Sequence, residues 1–312
     1  MLDLKQLKYF IVCAETGSIS EAAKLLYTTQ PSVSKAIKAL EEEMGIVLFE
    51  RMPRGIALTA KGREAYRYAC RIINDSRILE EMSHGNMAKY LRISLNPSSW
   101  FTNQFVEFYK ENYDKDYHFE IYTAGVRTVM ERVRDYLSDI GFVYVMEQQK
   151  KEFQYELAKN KLVFTVMQES TATFYPGKLN TLYQEAADRE KAHNVNMEEM
   201  KNFRFIQNFR DEFLELREKE KRSVFSWENL NVSVITNSDY IMEKMLKETG
   251  LCNISGSYLS NDKKAVNKGI PLEFKNNKVV FGYIRRKNDD TDELMEELLG
   301  FLREKLKLEN DS

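Results

Sequence analysis

The residues best suited to chemistry stand close together: Thr29, Gln30, Pro31, Ser32, Ser34, Lys35 and Lys38. Short hydroxyls, a carboxamide and two cations are groups that hydrogen-bond base edges and neutralise phosphates. A glutamine can pair with the N6/N7 edge of adenine, so Gln30 and Ser34 are the candidates for base contacts. Thr29, Ser32 and Lys35 would set the register of the element, partly against phosphate. The three cysteines, Cys13, Cys70 and Cys252, lie far apart and are odd in number, so a disulfide framework is not expected. They make no metal-ligand spacing with His84, His118 and His193, and no histidine stands near a serine, cysteine or acid in a recognisable catalytic setting. No phosphate loop or dinucleotide-type glycine fingerprint occurs.

The elements that must position these groups are a short helix, a tight turn and a second helix over residues 20–40. Ser20 suits a helix N-cap, and Ala22, Ala23, Leu25 and Leu26 form a compact apolar face. Pro31 fits a helical first turn, where its missing N–H would be unpaired anyway. Val33, Ile37, Leu40 and Met44 then recur at helical spacing as a buried stripe, leaving Ser32, Ser34, Lys35 and Lys38 on the other face. A helix of this kind can enter a major groove, although by itself the segment fits an ordinary helical hairpin equally well. Upstream, Leu4, Leu7, Phe10, Ile11 and Ala14 define a first amphipathic helix ended by Gly17, enough to close a three-helix core. Downstream, Val47, Leu48 and Phe49 and then Ile56 and Leu58 flank the turn Arg51-Met52-Pro53-Arg54-Gly55. That pattern predicts a hairpin carrying arginines at its tip, able to reach a phosphate or the minor groove.

Residues 1 to about 65 resemble the winged helix-turn-helix of LysR-type transcriptional regulators. The resemblance rests on Leu7-Lys8-Tyr9-Phe10, Gly17-Ser18-Ile19-Ser20-Glu21-Ala22-Ala23, Gln30-Pro31-Ser32-Val33-Ser34-Lys35, Leu40-Glu41, Gly45, Leu48-Phe49-Glu50-Arg51 and Leu58-Thr59-Ala60-Lys61-Gly62. It implies a DNA-binding set of Thr29, Gln30, Pro31, Ser32, Ser34 and Lys35 on the helix, with Arg51 and Arg54 on the wing. The run Glu41-Glu42-Glu43 would face away from phosphate, confining contact to the first two turns of the helix.

Thr59 is placed to cap a long helix reaching about His84, with Ala65, Ala69, Ile72, Ile73, Ser76 and Leu79 as a seam. Some 24 residues at 1.5 Å each make a rod of about 36 Å, too long to bury on so small a domain. An apolar seam on such a rod implies a second copy of the chain, and the segment resembles the family's dimerising linker helix. His84-Gly85-Asn86 would form the hinge. The domains read as 1–59, winged helix-turn-helix; 60–88, linker helix and hinge; 89–312, effector-binding domain.

Beyond residue 90 strands and helices alternate, which predicts parallel sheet with flanking helices. Strands are expected at 91–95, 117–122, 140–146, 162–167, 203–206, 232–235 and 279–284, and helices at 101–109, 129–137, 238–249 and 291–308. The charged run 210–222 reads as a solvated helix. This half resembles the family's effector domain, two α/β lobes like a periplasmic binding protein, best over 91–145 and least over 168–261. The resemblance places an effector against Asn96, Ser98 and Ser99 after the first strand and Thr123, Gly125 and Val126 after the second. Val126 stands where several relatives carry a hydroxyl residue. Helix N-terminal N–H groups there suit a carboxylate or similar anion, although Ser98 or Ser99 could equally do no more than cap its helix. Trp100 and Phe101 are expected in the core.

The 312 residues carry a net charge of −2; Met1 to Lys89 holds 13 lysines and arginines against 11 acids, and the remainder 33 against 37. So small an asymmetry does not by itself argue for nucleic acid, and local placement carries the expectation. No signal-type segment and no apolar run of about 18 residues is present, so a cytosolic protein is expected. No cofactor, metal or membrane is expected. The partners implied are double-stranded operator DNA, a small-molecule effector, further copies of the chain as a dimer or tetramer, and RNA polymerase. An alternative reading makes the C-terminal domain a small-molecule binder or enzyme that the N-terminal domain only assembles.

Overall fold

The computed structural model describes residues 3–53, 55–83, 89–187, 195, 197–208, 230–256, 269–272, 277–289 and 291–310. Arg54, the hinge His84-Gly85-Asn86, His193 and the charged run 210–222 lie outside the described residues. The chain divides into two compact units, Met1–Ala88 with Arg134–Leu137, and Lys89–Val133 with Ser138–Ser312.

In the first unit, α1 (Leu4–Thr16) is capped by Asp3, whose side chain accepts from the Lys5 N–H. Helix α2 (Ile19–Leu25) begins at Ser18, whose hydroxyl accepts from Glu21 N–H. Ser18, not Ser20, is therefore the N-cap: it is the residue in extended conformation after the left-handed Gly17, and Ser20 already lies inside the first turn. Helix α3 (Gln30–Met44) follows, then the antiparallel hairpin β1 (Phe49–Met52) and β2 (Gly55–Leu58). Leu7, Phe10, Cys13, Ala22, Ala23, Val33, Ile37, Leu40 and Leu48 close the core, with Phe49, Ile56 and Leu58 of the hairpin packed on its edge. Each fully buried leucine or phenylalanine of that set contributes about 1.5–3 kcal/mol.

Helix α4 (Ala60–Ser83) has 24 residues, as the seam pattern predicts, and Thr59 caps it by accepting from the Gly62 N–H. The predicted seam divides, however. Ala65, Ala69 and Ile73 turn inward onto the three-helix core, whereas Ile72 and Leu79, joined by Tyr68, are exposed. At 3.6 residues per turn, neighbours such as Ile72 and Ile73 point about 100° apart, so one list of apolar positions serves two faces.

In the second unit β3 (Lys89–Leu95) lies between the parallel strands β4 (Tyr117–Thr123) and β5 (Ile140–Met146). Helices α5 (Ser99–Glu111) and α11 (Glu293–Asn310) cover one face through Trp100, Phe101, Phe108, Leu298 and Leu302. Helices α6 (Val126–Arg134) and α7 (Lys150–Lys159) cover the other through Val129, Val133, Phe153 and Leu157. Residues 91–95 are buried on both faces rather than in alternation, because β3 is an inner strand.

The expectation of parallel sheet holds only within each lobe. Strand β6 (Leu162–Pro176) and strand β11 (Lys278–Arg286) pair antiparallel with one another, and β11 also pairs antiparallel with β5. Strand β6 runs on past the predicted end at 167, and its Ala172–Pro176 half pairs with β9 (Cys252–Gly256). The polar stretch Gln168-Glu169-Ser170-Thr171 hides this continuation from an apolar-run reading, since it lies where the strand passes between the two lobes. Strand β7 (Arg204–Asn208) then pairs parallel with β9 and with β8 (Asn231–Thr236), completing one sheet in the order β4-β3-β5-β11-β6-β9-β7-β8. The second lobe has its own core around Phe174, Phe205, Cys252 and Ile254, with α10 (Asp239–Glu248) set against Ile206 through Met242 and Leu246.

Candidate nucleic-acid interface and small-molecule site

Helix α3 presents the predicted polar set as one surface. Val33, Ile37 and Leu40 are buried, while Gln30, Pro31, Ser32, Ser34 and Lys35 are exposed. Thr29 is the N-cap: its hydroxyl accepts from Ser32 N–H at 3.4 Å and shares a hydrogen bond with the Ser32 hydroxyl at 2.8 Å. Those two residues therefore define the helix start, which fixes the rotation of the exposed face and hence where Gln30 and Ser34 point. Lys38 is paired with Glu42 at 3.7 Å, whereas Lys35 makes no ion pair among the described residues. Lys35 is thus the cation of this helix available for a phosphate.

The acidic run has a division of labour that its composition does not reveal. Glu41 turns inward and its carboxylate accepts from Leu48 N–H at 2.7 Å and Phe49 N–H at 3.2 Å. It ties the end of α3 to the base of the hairpin. Two further bonds hold the hairpin: Ile56 N–H donates to Gly17 carbonyl at 2.9 Å, and Thr59 hydroxyl donates to Val47 carbonyl at 2.7 Å. Arg51 is exposed on β1, paired with Ile56 across the ladder, and so belongs to the strand rather than to the turn.

The second predicted site lies at the carboxyl ends of β3 and β4, where crevices form in open α/β sheets. Asn96 draws both turns together: its Nδ2 donates to the Ala124 carbonyl and its Oδ1 accepts from Tyr144 N–H, each at 2.9 Å. With both ends of its amide engaged, Asn96 holds the two turns together rather than facing the crevice. Ser98 caps α5, accepting from Phe101 N–H at 3.1 Å, and shares a 2.7 Å hydrogen bond with the Tyr144 hydroxyl. Ser99 and Gly125 are partly exposed and Thr123 is exposed, so these three remain on the accessible side. The Val126 side chain is buried against α6 and α7 residues. Trp100 and Phe101 are core, as predicted.

Sequence reasoning missed Tyr144 and Glu41. Tyr144 reads as one more apolar residue in a buried strand; Glu41 reads in composition as one of three adjacent acids, and its place in the Leu40-Glu41 match was the one signal that set it apart. Cys13, Cys70 and Cys252 are buried and form no disulfide; burial pushes the thiols of Cys13 and Cys252 up to about 11 and about 12, away from nucleophile chemistry at neutral pH. Among the described residues no group of side chains could hold a metal, and no helix is long and apolar enough to cross a membrane.

Residues 4–63 match the family model for bacterial regulatory helix-turn-helix proteins of the lysR family. The N-terminal domain is a LysR-family helix-turn-helix. The chain is 43% identical to the HTH-type transcriptional regulator ClcR of Pseudomonas putida over 77 residues, 25% of this chain and 26% of that one. An HTH-type transcriptional regulator of Methanocaldococcus jannaschii is 33% identical over 163 residues, 50% of this chain and 54% of the relative. The matched part thus spans about a quarter to a half of these relatives' length. In fold the likeness runs the whole length: full-length CbnR, solved in complex with its target DNA, superposes with a TM-score of 0.56 at 14% identity, over 97% of this chain and 99% of that one. The architecture, a helical winged domain followed by a mixed α/β domain, is therefore common to both. The family that the model describes is one of bacterial regulatory helix-turn-helix proteins.

Proposed function

We propose that the chain is a sequence-specific transcriptional regulator that binds operator DNA as a homo-oligomer and answers to a small molecule held between its C-terminal lobes. The observation that carries this reading is the two-faced α3: Val33, Ile37 and Leu40 buried behind an exposed Gln30, Ser34 and Lys35, the last without an ion pair among the described residues, inside the segment that matches the LysR-family model. Gln30 and Ser34 read bases; Thr29, Pro31, Ser32 and Lys35 set the helix, with Arg51 and Arg54 in support on the wing. Residues 1–59 form the reading head, 60–88 the linker and 89–312 the regulatory domain of this cytoplasmic protein. The exposed Tyr68, Ile72 and Leu79 along α4 favour a second copy as the linker's partner. Two heads would then meet half-sites about one or more helical turns apart.

A gel-shift or footprint on the DNA upstream of its own and neighbouring genes tests the reading. Lys35→Ala should weaken binding on every duplex and reduce the salt slope by about one, the release of about one counterion. Unchanged affinity at all salt concentrations would remove Lys35 from the contact list. Gln30→Ala should instead change which bases are preferred.

For the effector, the geometry favours Ser99, Thr123, Gly125 and the first N–H groups of α5 and α6 as the contacts, with Asn96 and Ser98 holding the turns in place. A ligand that binds only the folded state raises the melting temperature, so a thermal-shift screen with small carboxylates is the direct test. Ser98→Ala should lower the melting temperature of the ligand-free protein, since loss of an N-cap costs about 0.5–2 kcal/mol. Ser99→Ala should leave that temperature alone and reduce the ligand-induced shift. An unaltered shift in Ser99→Ala would take Ser99 out of the site. Ligand acts by preferring one arrangement of the lobes, a population shift that changes the spacing of the reading heads.

A further inference from the structure

The three helices of the winged domain all end on a left-handed residue, and one of those endings is costly. Helices α1 and α3 stop at Gly17 and Gly45, with φ of +62° and +64°. That left-handed conformation costs glycine nothing and carries no side chain. Helix α2 stops in the same manner: Thr28 N–H donates back to Ala23 carbonyl at 2.9 Å, and Tyr27 N–H to Lys24 carbonyl at 3.1 Å. The pair of bonds is the Schellman arrangement, whose left-handed position is normally filled by glycine or asparagine. Here it is filled by Tyr27, at φ +50°.

A bulky residue in that conformation is an outlier that the surrounding structure must sustain. Burial does not compensate, because Tyr27 is 99% exposed, the most exposed of the large apolar and aromatic side chains. The ring therefore contributes nothing to the fold that would account for its place. Its position is specific: the turn carries it three residues before Gln30 and two before the cap Thr29, at the end of α3 that holds the reading residues. The two backbone bonds also fix the direction in which it leaves the chain.

We propose that Tyr27 is a further DNA-contact residue, whose phenol donates a hydrogen bond to a phosphate oxygen flanking the bases read by α3. Tyrosine is among the side chains that make such backbone contacts, which position a protein without reading sequence. The contact deepens the DNA-binding function proposed above and rests on it. It differs from that of Lys35 in being neutral, so it releases no counterion and leaves the salt slope unchanged.

The test uses the full-length protein and a duplex that the wild type selects from a random-sequence pool, with Lys35→Ala measured alongside. Tyr27→Phe removes only the hydroxyl, and affinity should fall about twofold to tenfold, the range for one neutral hydrogen bond. The fall should be equal on the selected duplex and on single-base variants of it, with the salt slope as in the wild type. Tyr27→Gly should lose at least as much affinity while its melting temperature stays level or rises, since glycine suits the left-handed position. Wild-type affinity in both variants overturns the contact, as does a lower melting temperature in Tyr27→Gly, which would make the ring structural. A changed base preference in Tyr27→Phe overturns the assignment to phosphate. If the wild type selects no duplex at all, the DNA-binding function itself fails; if Lys35→Ala weakens binding and the Tyr27 variants do not, Tyr27 alone is rejected.

Discussion

Gly62→Ala should disable the winged domain, lowering its stability by about 3 kcal/mol and abolishing DNA binding. A β-carbon at Gly62 would lie 2.0 Å from the Leu48 carbonyl oxygen and 3.1 Å from the Thr59 hydroxyl. Overpacking usually costs about 1–3 kcal/mol when side chains can move aside, but here the obstacle is main chain, which places the cost at the upper end. The same carbonyl accepts Thr59 N–H at 3.0 Å, and Glu41 holds the amide of the same residue at 2.7 Å. The end of α3, the base of the wing and the first turn of α4 all meet at Leu48, so displacing it disturbs the reading surface and the linker together. Gly300→Ala is the control. That helical glycine has nothing within 4 Å of an added β-carbon, and alanine there should raise stability by about 0.8–1 kcal/mol through helix propensity. Urea denaturation and a gel-shift on both variants check the pair. A Gly62→Ala protein as stable as the wild type would mean that the α4 turn can shift without loss.

The second large effect belongs to the C-terminal α/β unit. Asp139→Ala should cost about 3 kcal/mol, measured by urea unfolding followed through the fluorescence of the buried Trp100. The Asp139 carboxylate takes three donors from Arg92: its backbone N–H at 2.9 Å, Nε at 3.1 Å and Nη2 at 2.7 Å. Arg286 stands 4.0 Å away and donates a 2.8 Å bond to the Ser138 carbonyl. Removing one partner of such a pair leaves a nearly buried charge uncompensated, which costs about 3–5 kcal/mol; with the Asp139 side chain 20% exposed, the lower end applies. The double variant Arg92→Met/Asp139→Leu should recover most of the loss, because a packed apolar pair carries no desolvation penalty. A double variant as unstable as the single one would show that the geometry of the pair, not the stranded charge, supplies the stability.

How much of this could be read from the text depends on the range of the forces involved. The α3 surface and the hairpin were legible, because a first-turn proline, a heptad-like stripe and a Pro/Gly turn are local signals within a few residues. Ser18 and Ser20 illustrate the limit: both are good caps, and only the φ of Gly17 decides which one begins the helix. The seam of α4 was legible as a set of residues but not as two faces, since Ala69 and Ile72 are told apart only by what packs against them. In the effector region, the turn at Asn96 was found, but its partners Ala124 and Tyr144 lie 28 and 48 residues away. Contacts of that separation leave no periodicity. Arg54, half of the predicted wing pair, falls outside the described residues, and only Arg51 of the two is placed.

Strand β6 gives the C-terminal α/β unit a property that neither lobe has alone. Its 15 residues, about 50 Å of extended chain, belong to the ladder of β11 at one end and of β9 at the other. A domain built as two beads on a tether could lose one bead and keep the other. Here the same strand is structural to both, and unravelling either core strips a partner from its neighbour. The lobes are thereby bound to a common fate on denaturation, and cooperativity is written into the sheet rather than into the surface between the two cores.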